Sequence, residues 1–363
     1  MSITKKWLAF CLAVCMIMPL VAGCGEIATK KEDGKLHIVT TVFPYYDFAK
    51  QIGGDRVSVD LIVPAGMDTH SFEPTAKDMV TIGEADVFIY NGGTMESWVP
   101  KVLEAAEGKN ITTLRMMDHV KVVDEEIVEG MQEEEHEHHH DDKDHHEEDK
   151  DHHHDEDKEH HHDDKDSHDK EHHHDDKEHH HHDGEEGPEM DEHVWTSPAN
   201  AIQIVKALTE TISGLDKDNA QTYQKNAEAY IAKLEKLDKD FHDVIDHAKR
   251  KEIIVGDRFP FLYFAKEFGL TYYAAFPGCS TDTEANPATI AFLVDKVKED
   301  HIPVVFHIEM SNEQMSKAIA EATGAKNELL NAVHNVSDEE FKKGVTYIDL
   351  MNHNVKVLKE ALN

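Results

Sequence analysis

Residues 223–245, which read YQKNAEAYIAKLEKLDKDFHDVI, predict one long helix in the middle of the chain. After Tyr223, the apolar side chains recur with the three- and four-residue spacing of a single helix face, at Ala227, Tyr230, Ile231, Leu234, Leu237, Phe241, Val244 and Ile245. Roughly 25 residues give a rod of roughly 37 Å, about the size of a domain. The helical region 196–250, which begins at the cap-and-proline pair Ser197-Pro198, is therefore expected to hold two lobes apart.

On both sides of this rod, strands alternate with helices. The predicted strands are apolar runs that end at turn residues, at 36–43, 57–63, 87–90, 252–255, 270–276 and 304–308. The predicted helices are 45–52, 74–83, 96–106, 261–268, one that starts at Asn286-Pro287, 312–323 and 349–362. This alternation is typical of βαβ units. We expect an α/β fold with two lobes, 36–195 and 251–363, each a parallel sheet flanked by helices, joined by the long rigid helix.

The first 35 residues predict export and anchoring. Two lysines precede an apolar stretch, 7–20, that is too short to span a bilayer, so residues 1–23 have the pattern of a secretory signal peptide. The sequence LVAGC, ending at Cys24, resembles the bacterial lipobox, which predicts a lipidated Cys24 followed by a tether over 24–35. An ordinary signal peptide or a retained helix remains the alternative. In the lipidated form only Cys279 keeps a free thiol, so no intrachain disulfide is expected.

A histidine-rich tract carries much of the charge. Residues 133–186 hold 26 Asp and Glu against 6 Lys, a net charge of −20 out of −37, and residues 136–182 hold 20 of the 30 histidines. The tract is too polar to bury a core, so we expect a disordered loop at about 131–190. Its clustered imidazoles are expected to bind transition metals weakly; the alternative is a solvated acidic spacer. No basic cluster elsewhere in the sequence predicts nucleic-acid binding.

Two short segments place histidines where ligands bind. Residues 66–75 read GMDTHSFEPT and follow the strand that ends at Val63, so His70 lies beyond the carboxyl end of a strand. Ligands of open α/β sheets bind in that position. Residues 191–201 read DEHVWTSPANA and place His193 just ahead of the linking helices. A solvated loop histidine is the alternative for His70, and the last histidine of the tract is the alternative for His193.

The two segments and the two-lobe plan resemble the solute-binding proteins of zinc and manganese ABC importers. The resemblance covers most of the chain after the signal peptide. In that family the first metal ligand is a histidine followed by an aromatic residue and Glu-Pro-Thr, and the second stands in Asp-x-His-x-Trp ahead of Pro-x-Asn-Ala. The residues that match these two motifs are His70, Phe72 and Glu73-Pro74-Thr75, and His193, Trp195, Pro198 and Asn200. The resemblance thus implies that His70 and His193 bind metal.

The resemblance is weaker at the other two family ligands. The third falls on Arg258 in GDRFPFLYFAKEFGL (256–270), and a guanidinium has no lone pair with which to coordinate zinc. The fourth is an Asp in the family, but residues 328–337 read ELLNAVHNVS and offer His334. Three histidines, His70, His193 and His334, would suit zinc better than manganese. A surface histidine is the alternative for His334.

Further candidates lie near other strand ends. Cys279 could supply a thiolate to zinc, although a small buried apolar cysteine is the alternative. Glu284 could neutralise Arg258, which would otherwise repel a cation. His307 and Glu309 also lie near a strand end and rank below the others.

The resemblance implies a transport function without catalysis. The chain would capture Zn²⁺ on the extracytoplasmic face of the cell membrane, as a lipid-anchored monomer, and deliver it to a permease and its ATPase. Zinc-binding members of the family carry a histidine-rich loop at the position of the tract, which would collect zinc. The sequence contains no HExxH, Walker, nucleophile-elbow or glycine-rich dinucleotide motif. The alternatives are a zinc hydrolase, and a metal-storing or adhesive surface lipoprotein; nickel, cobalt and cadmium are alternative cargoes.

Overall fold

The computed structural model describes residues 34–132, 189–281 and 284–363. The signal peptide, Cys24 with most of the tether, and the histidine-rich tract lie outside the described residues. Within these three ranges, no helix is both long and apolar enough to cross a membrane.

The N-terminal lobe is built on a parallel four-stranded sheet. Its strands lie in the order β2-β1-β3-β4. They are β1 (Leu36–Thr40), β2 (Val57–Leu61), β3 (Val87–Tyr90) and β4 (Thr112–Arg115), with helices α1 (Phe43–Gly53), α2 (Ala76–Gly83) and α3 (Val99–Ala105). Strand β1 is shorter than predicted because Pro44 lies in the first turn of α1, where its fixed φ favours the helix. Strand β4 was not predicted.

The C-terminal lobe repeats this topology in the order β6-β5-β7-β8, again all parallel. Its strands are β5 (Glu252–Phe259), β6 (Thr271–Pro277), β7 (Val304–His307) and β8 (Lys326–Leu329). The helices of the linking region are α4 (Pro198–Leu215) and α5 (Ala220–Ile245). The helices that follow are α6 (Leu262–Phe268), α7 (Pro287–Glu299), α8 (Gln314–Thr323), α9 (Asp338–Lys343) and α10 (Tyr347–Ala361). The predicted caps are present: the side chains of Ser197 and Asn286 accept hydrogen bonds at the starts of α4 and α7. The α/β prediction with two parallel sheets is confirmed.

The linking region contains two helices rather than one. Helix α4 packs against α5 after a four-residue turn, so the pair forms an αα-hairpin. In that turn, the Asp216 carboxylate accepts a hydrogen bond from the Tyr223 hydroxyl at 2.6 Å. The long helix α5 packs against α1 of the N-terminal lobe and α10 of the C-terminal lobe. One rod therefore supports both lobes, as the apolar face of 223–245 predicts.

A buried carboxylate ties these three helices together. Asp47 of α1 accepts hydrogen bonds from the Tyr230 hydroxyl of α5 and from the Tyr347 amide of α10, both at 3.0 Å. Phe48 packs edge-on against both tyrosine rings. The two lobes thus share one core where α1, α5 and α10 meet.

Both sheets have the same switch in strand order, and this determines where a ligand can bind. In each lobe the first strand lies between the second and third, so successive connections leave on opposite sides. A crevice forms at the carboxyl ends of strands at such a point. The loop after β2 and the loop after β8 both start from these ends.

Candidate metal centre

Three histidines from separate parts of the chain meet between the lobes. His70 lies in the loop after β2, His193 precedes α4, and His334 lies in the loop after β8. Their ring centroids are 4.8 Å apart for His193 and His334, 5.6 Å for His70 and His334, and 5.8 Å for His70 and His193. One ligand atom from each ring lies within 4.8 Å of the others. The structure thus brings together the three histidines that the sequence singled out.

The free nitrogens of these rings are buried. His193 is fully buried, His334 nearly so, and the Nε2 atoms of all three histidines have no hydrogen-bond partner among the described residues. A buried polar atom without a partner is costly, and native proteins rarely retain one without a reason. Three such nitrogens in one place are the donor set that a zinc ion satisfies.

Asp191 fixes the orientation of His193. Its Oδ1 accepts a hydrogen bond from the His193 amide at 2.8 Å and lies 3.3 Å from the ring Nδ1. The Asp191 carbonyl accepts a further hydrogen bond from the Tyr263 hydroxyl at 2.7 Å. Gly278 also packs closely against the ring, since a Cβ there would lie 3.0 Å from His193 Cε1. A carboxylate at Nδ1 leaves Nε2 for the metal, as in many zinc sites.

Glu309 has the same role at His334. Its Oε1 accepts hydrogen bonds from the His334 amide at 2.8 Å and the ring Nδ1 at 3.0 Å, while Oε2 accepts from the Ala332 amide at 2.7 Å. Burial alone would raise the pKa of Glu309, but the hydrogen bonds from His334 and Ala332 outweigh it and lower that pKa. Between these amides, Val333 has a φ of 63°. That conformation is strained for a β-branched residue, and such strain clusters at functional sites.

Asp68 supports the backbone at His70. Its Oδ1 accepts a hydrogen bond from the His70 amide at 2.9 Å and caps the short turn Thr69–Ser71. The pKa of the His70 side chain lies well below its usual value of about 6.5. The main cause is burial of the ring, and the nearby His334 and His193 lower the pKa further. His70 is therefore neutral at pH 7 and able to bind a metal.

The comparisons with known proteins agree with this fold. A family model described as "Zinc-uptake complex component A periplasmic" matches residues 38–361. The chain belongs to this family. It is 37% identical to the "High-affinity zinc uptake system protein ZnuA" of Bacillus subtilis, over 99% of this chain and 98% of that protein. It is 32% identical to the "Zinc-binding lipoprotein AdcA" of Streptococcus pneumoniae, over 98% of this chain and 61% of that longer protein.

Among solved structures, the Zn(II)-bound ZnuA-like domain of Streptococcus pneumoniae AdcA is similar throughout. It has a TM-score of 0.65 and 29% identity, and the match covers 91% of this chain and 99% of that domain. The two-lobe α/β prediction is thus confirmed by a relative as well as by the topology.

Arg258 is the clearest departure from the family ligand pattern. Its guanidinium Nη2 lies 2.8 Å from Asp68 Oδ2, so its salt-bridge partner is Asp68 and the suggested pairing with Glu284 is wrong. Among the described residues that could hold a metal, only the three histidines form a group. His307 instead faces Asn327, with its Nδ1 3.0 Å from the amide oxygen.

Cys279 lies beside the centre rather than in it. It is half-buried, its amide donates to Glu125 Oε1 at 2.8 Å, and its thiol is not in the histidine group. Burial, and then the nearby acidic groups Asp191 and Glu125, raise the pKa of the thiol well above its usual range, so it remains protonated at pH 7. A protonated thiol is a poor ligand. Cys279 and His70 line a common cavity of about 380 Å³.

The histidine-rich tract leaves the described structure beside this cavity. Gln132, the last described residue before it, donates its amide to the Ala275 carbonyl of the C-terminal lobe at 3.0 Å. Glu189, the first described residue after it, lines the cavity and accepts a hydrogen bond from the Thr94 hydroxyl at 2.9 Å. The residue after the tract is therefore fixed at the cavity that His70 lines, and the residue before it is fixed on β6 of the C-terminal lobe.

The low pKa of His70 predicts how zinc binding depends on pH. Protons compete with zinc for imidazole, so a histidine of ordinary pKa loses metal as the pH falls through about 6.5. His70 stays neutral to lower pH, because its pKa is depressed. Between about pH 7.5 and about pH 5, we expect zinc to leave the tract first and the cluster last. Equilibrium dialysis of the whole chain against buffers of decreasing pH would measure the two steps; full retention of both at about pH 5 would contradict histidine ligation.

Proposed function

We propose that the chain is the extracytoplasmic zinc-binding component of an ABC importer, which captures Zn²⁺ between its lobes and delivers it to a permease and its ATPase. The observation that carries this proposal is the group of three histidines whose Nε2 atoms are buried and have no hydrogen-bond partner among the described residues. Neutral imidazoles are ligands that zinc prefers, and a water molecule would complete four-coordination. His70, His193 and His334 would be the ligands.

The surroundings of the cluster support binding rather than hydrolysis. The carboxylates that contact the histidines, Asp191 and Glu309, already accept hydrogen bonds from backbone amides and face ring nitrogens. A hydrolytic zinc site needs a free base beside the metal-bound water. The family, the "zinc uptake" name of the Bacillus subtilis relative and the zinc-bound Streptococcus pneumoniae domain all support zinc as the cargo.

The tract would collect zinc without forming the tight site. Twenty histidines with many carboxylates, in a tract followed by Glu189 at the cavity, would raise the local zinc concentration there. This proposal gives the two classes of site different properties. The tight site belongs to the folded lobes, whereas the weak sites belong to residues 133–186.

Deletion of residues 133–186 tests this division. We expect the deleted protein to keep one tight zinc site and to lose several weaker equivalents, since the three proposed ligands all lie outside the deleted segment. Isothermal titration calorimetry of the two proteins would count the sites. Loss of the tight site would show that the tract donates a ligand, and a storage protein would then be favoured. Unchanged stoichiometry would favour the acidic-spacer alternative.

We also propose that the chain is anchored to the outer face of the cell membrane through lipid on Cys24. The lipobox sequence and the lipoprotein relative from Streptococcus pneumoniae support this. With Cys24→Ala, we expect the protein to move from the membrane fraction to the soluble fraction, because the acyl chains provide the anchoring energy. Cys279→Ala is the matched control and should stay with the membrane. Equal membrane retention of Cys24→Ala and the unaltered protein would contradict the anchor.

A further inference from the structure

Arg258 reaches from one lobe to the other beside the histidine cluster. It lies on β5 of the C-terminal lobe, its side chain is 12% exposed, and its guanidinium binds Asp68 in the loop after β2. The pairing of β5 with β6 is irregular between Val255 and Arg258, as at a β-bulge. Bulges re-aim side chains and are common next to functional sites. The side chain at this position thus contacts the opposite lobe.

Asp68 connects this salt bridge to a proposed zinc ligand. One of its oxygens accepts from Arg258 and the other accepts from the amide of His70. A carboxylate held at both oxygens has one fixed position, so the backbone at His70 is fixed relative to the C-terminal lobe. The path from Arg258 to His70 consists of two short contacts, of 2.8 Å and 2.9 Å.

The same loop has a second attachment that does not involve Arg258. The Gly66 amide donates to the Val336 carbonyl at 2.8 Å, and the Asn335 side chain donates to the Pro64 carbonyl at 2.7 Å. If the salt bridge were removed, the start of the loop would therefore remain attached to the C-terminal lobe through these two hydrogen bonds. A variant of Arg258 should fold, while its His70 becomes freer to move.

From this geometry we infer that Arg258 is a positioning residue: acting through Asp68, it holds His70 against the C-terminal lobe and slows the release of bound zinc. The inference rests on the proposed function, because it concerns the release of that cargo. Zinc cannot leave a three-histidine site until a ligand moves away, and His70 is the ligand that lines the open cavity. At the position where its relatives are expected to have a third metal ligand, this chain would thus have a salt bridge that positions His70, the first ligand.

Two explanations of Arg258 predict opposite effects of Arg258→Met. If the guanidinium acted only through its charge, its removal would favour a nearby Zn²⁺ and slow release. If it holds His70 in place, its removal should speed release, by about tenfold for a coupling of the size found between contacting residues. Asp68→Asn keeps an oxygen that can accept a hydrogen bond from the His70 amide, but it removes the negative charge that pairs with Arg258. This substitution should also speed the release of zinc.

The experiment measures zinc dissociation from the full chain. Protein loaded with one equivalent of zinc is mixed with excess chelator in a stopped-flow instrument, and the slow phase reports the deep site. We expect Arg258→Met and Asp68→Asn to release zinc faster, the double variant to release it no faster than the faster single variant, and Arg258→Lys to restore much of the slow release. Lys266→Met is the control, since it removes an exposed salt bridge to Glu126 that touches neither Asp68 nor a histidine.

The outcomes separate this inference from the proposed function. If the unaltered protein binds zinc tightly and Arg258→Met releases it at the same rate or more slowly, the positioning role is wrong. Additive effects of the two substitutions would overturn it as well, since residues that act through one contact are non-additive. If the unaltered protein has no tight zinc site, the proposed function fails, and the inference fails with it. Thermal unfolding of the metal-free variants checks that each has folded.

Discussion

Replacement of His193 by alanine is expected to abolish tight zinc binding. His193 is the most buried of the three histidines, and its ring contacts or faces both of the others. The substitution would delete one of the three proposed inner-sphere bonds, and no other group of metal ligands is found among the described residues. We therefore expect the affinity to fall by more than about a hundredfold, beyond the range typical for loss of an outer-shell partner.

The measurement is a competition titration with a chromophoric chelator in the protein that lacks residues 133–186, so that the tract does not mask the loss. His70→Ala and His334→Ala should behave similarly. His307→Ala is the matched control, because this half-buried histidine pairs with Asn327 and is not in the cluster. Unchanged affinity in any one of the three cluster variants would exclude that residue as a ligand.

Glu309→Gln is expected to have the second-largest effect, although Glu309 need not touch the metal. An amide has only one acceptor oxygen, so it cannot accept from the His334 side and from the Ala332 amide together. The imidazole of His334 would lose its orientation and part of its basicity. Loss of such a carboxylate typically costs ten- to a hundredfold in metal affinity, so we expect a reduction of about 10- to 100-fold.

A double-mutant cycle distinguishes this effect from general damage. In a His334→Ala background the oriented ring is gone, so Glu309→Gln should reduce the zinc affinity little further. Glu313→Gln is the control, because Glu313 pairs with Lys317 at 3.0 Å and does not contact His334. Equal losses from Glu309→Gln with and without His334 would contradict the orienting role.

The sequence predicted three strands of each sheet but missed one edge strand in each, β4 and β8. Strands β4 and β8 read TTLR and KNEL, each pairs on one side only, and neither has a continuous apolar run. Edge strands tolerate such charged and polar residues, so their sequences resemble loops. The division of the linking region into two helices had a local signal, Gly214 with Asp216 and Asn219, which is typical of a turn.

The three clustered histidines were recognisable in the sequence, whereas the residues that support them were less so. The histidines stood in recognisable segments, and the sequence repeats Asp-x-His in both, at Asp68 and at Asp191. In each case that aspartate accepts a hydrogen bond from the histidine amide, so the repeat was a signal that could have predicted both supports. The salt bridge from Arg258 to Asp68 had no such signal, because it joins residues 190 positions apart through the packing of two lobes.

The bond network around Asp47 has a consequence for the thermodynamics of cargo binding. Asp47 joins α1, α5 and α10, so the two lobes share a single packed interior where these helices meet and cannot separate there without exposing it. We therefore expect rearrangement on metal uptake to involve the loops that carry the histidines rather than this shared core. Little apolar surface is dehydrated when the ion enters, so the heat-capacity change of binding should be small. The enthalpy of binding would consequently change little with temperature, and the balance between capture and release would depend on a few side-chain contacts around the ion.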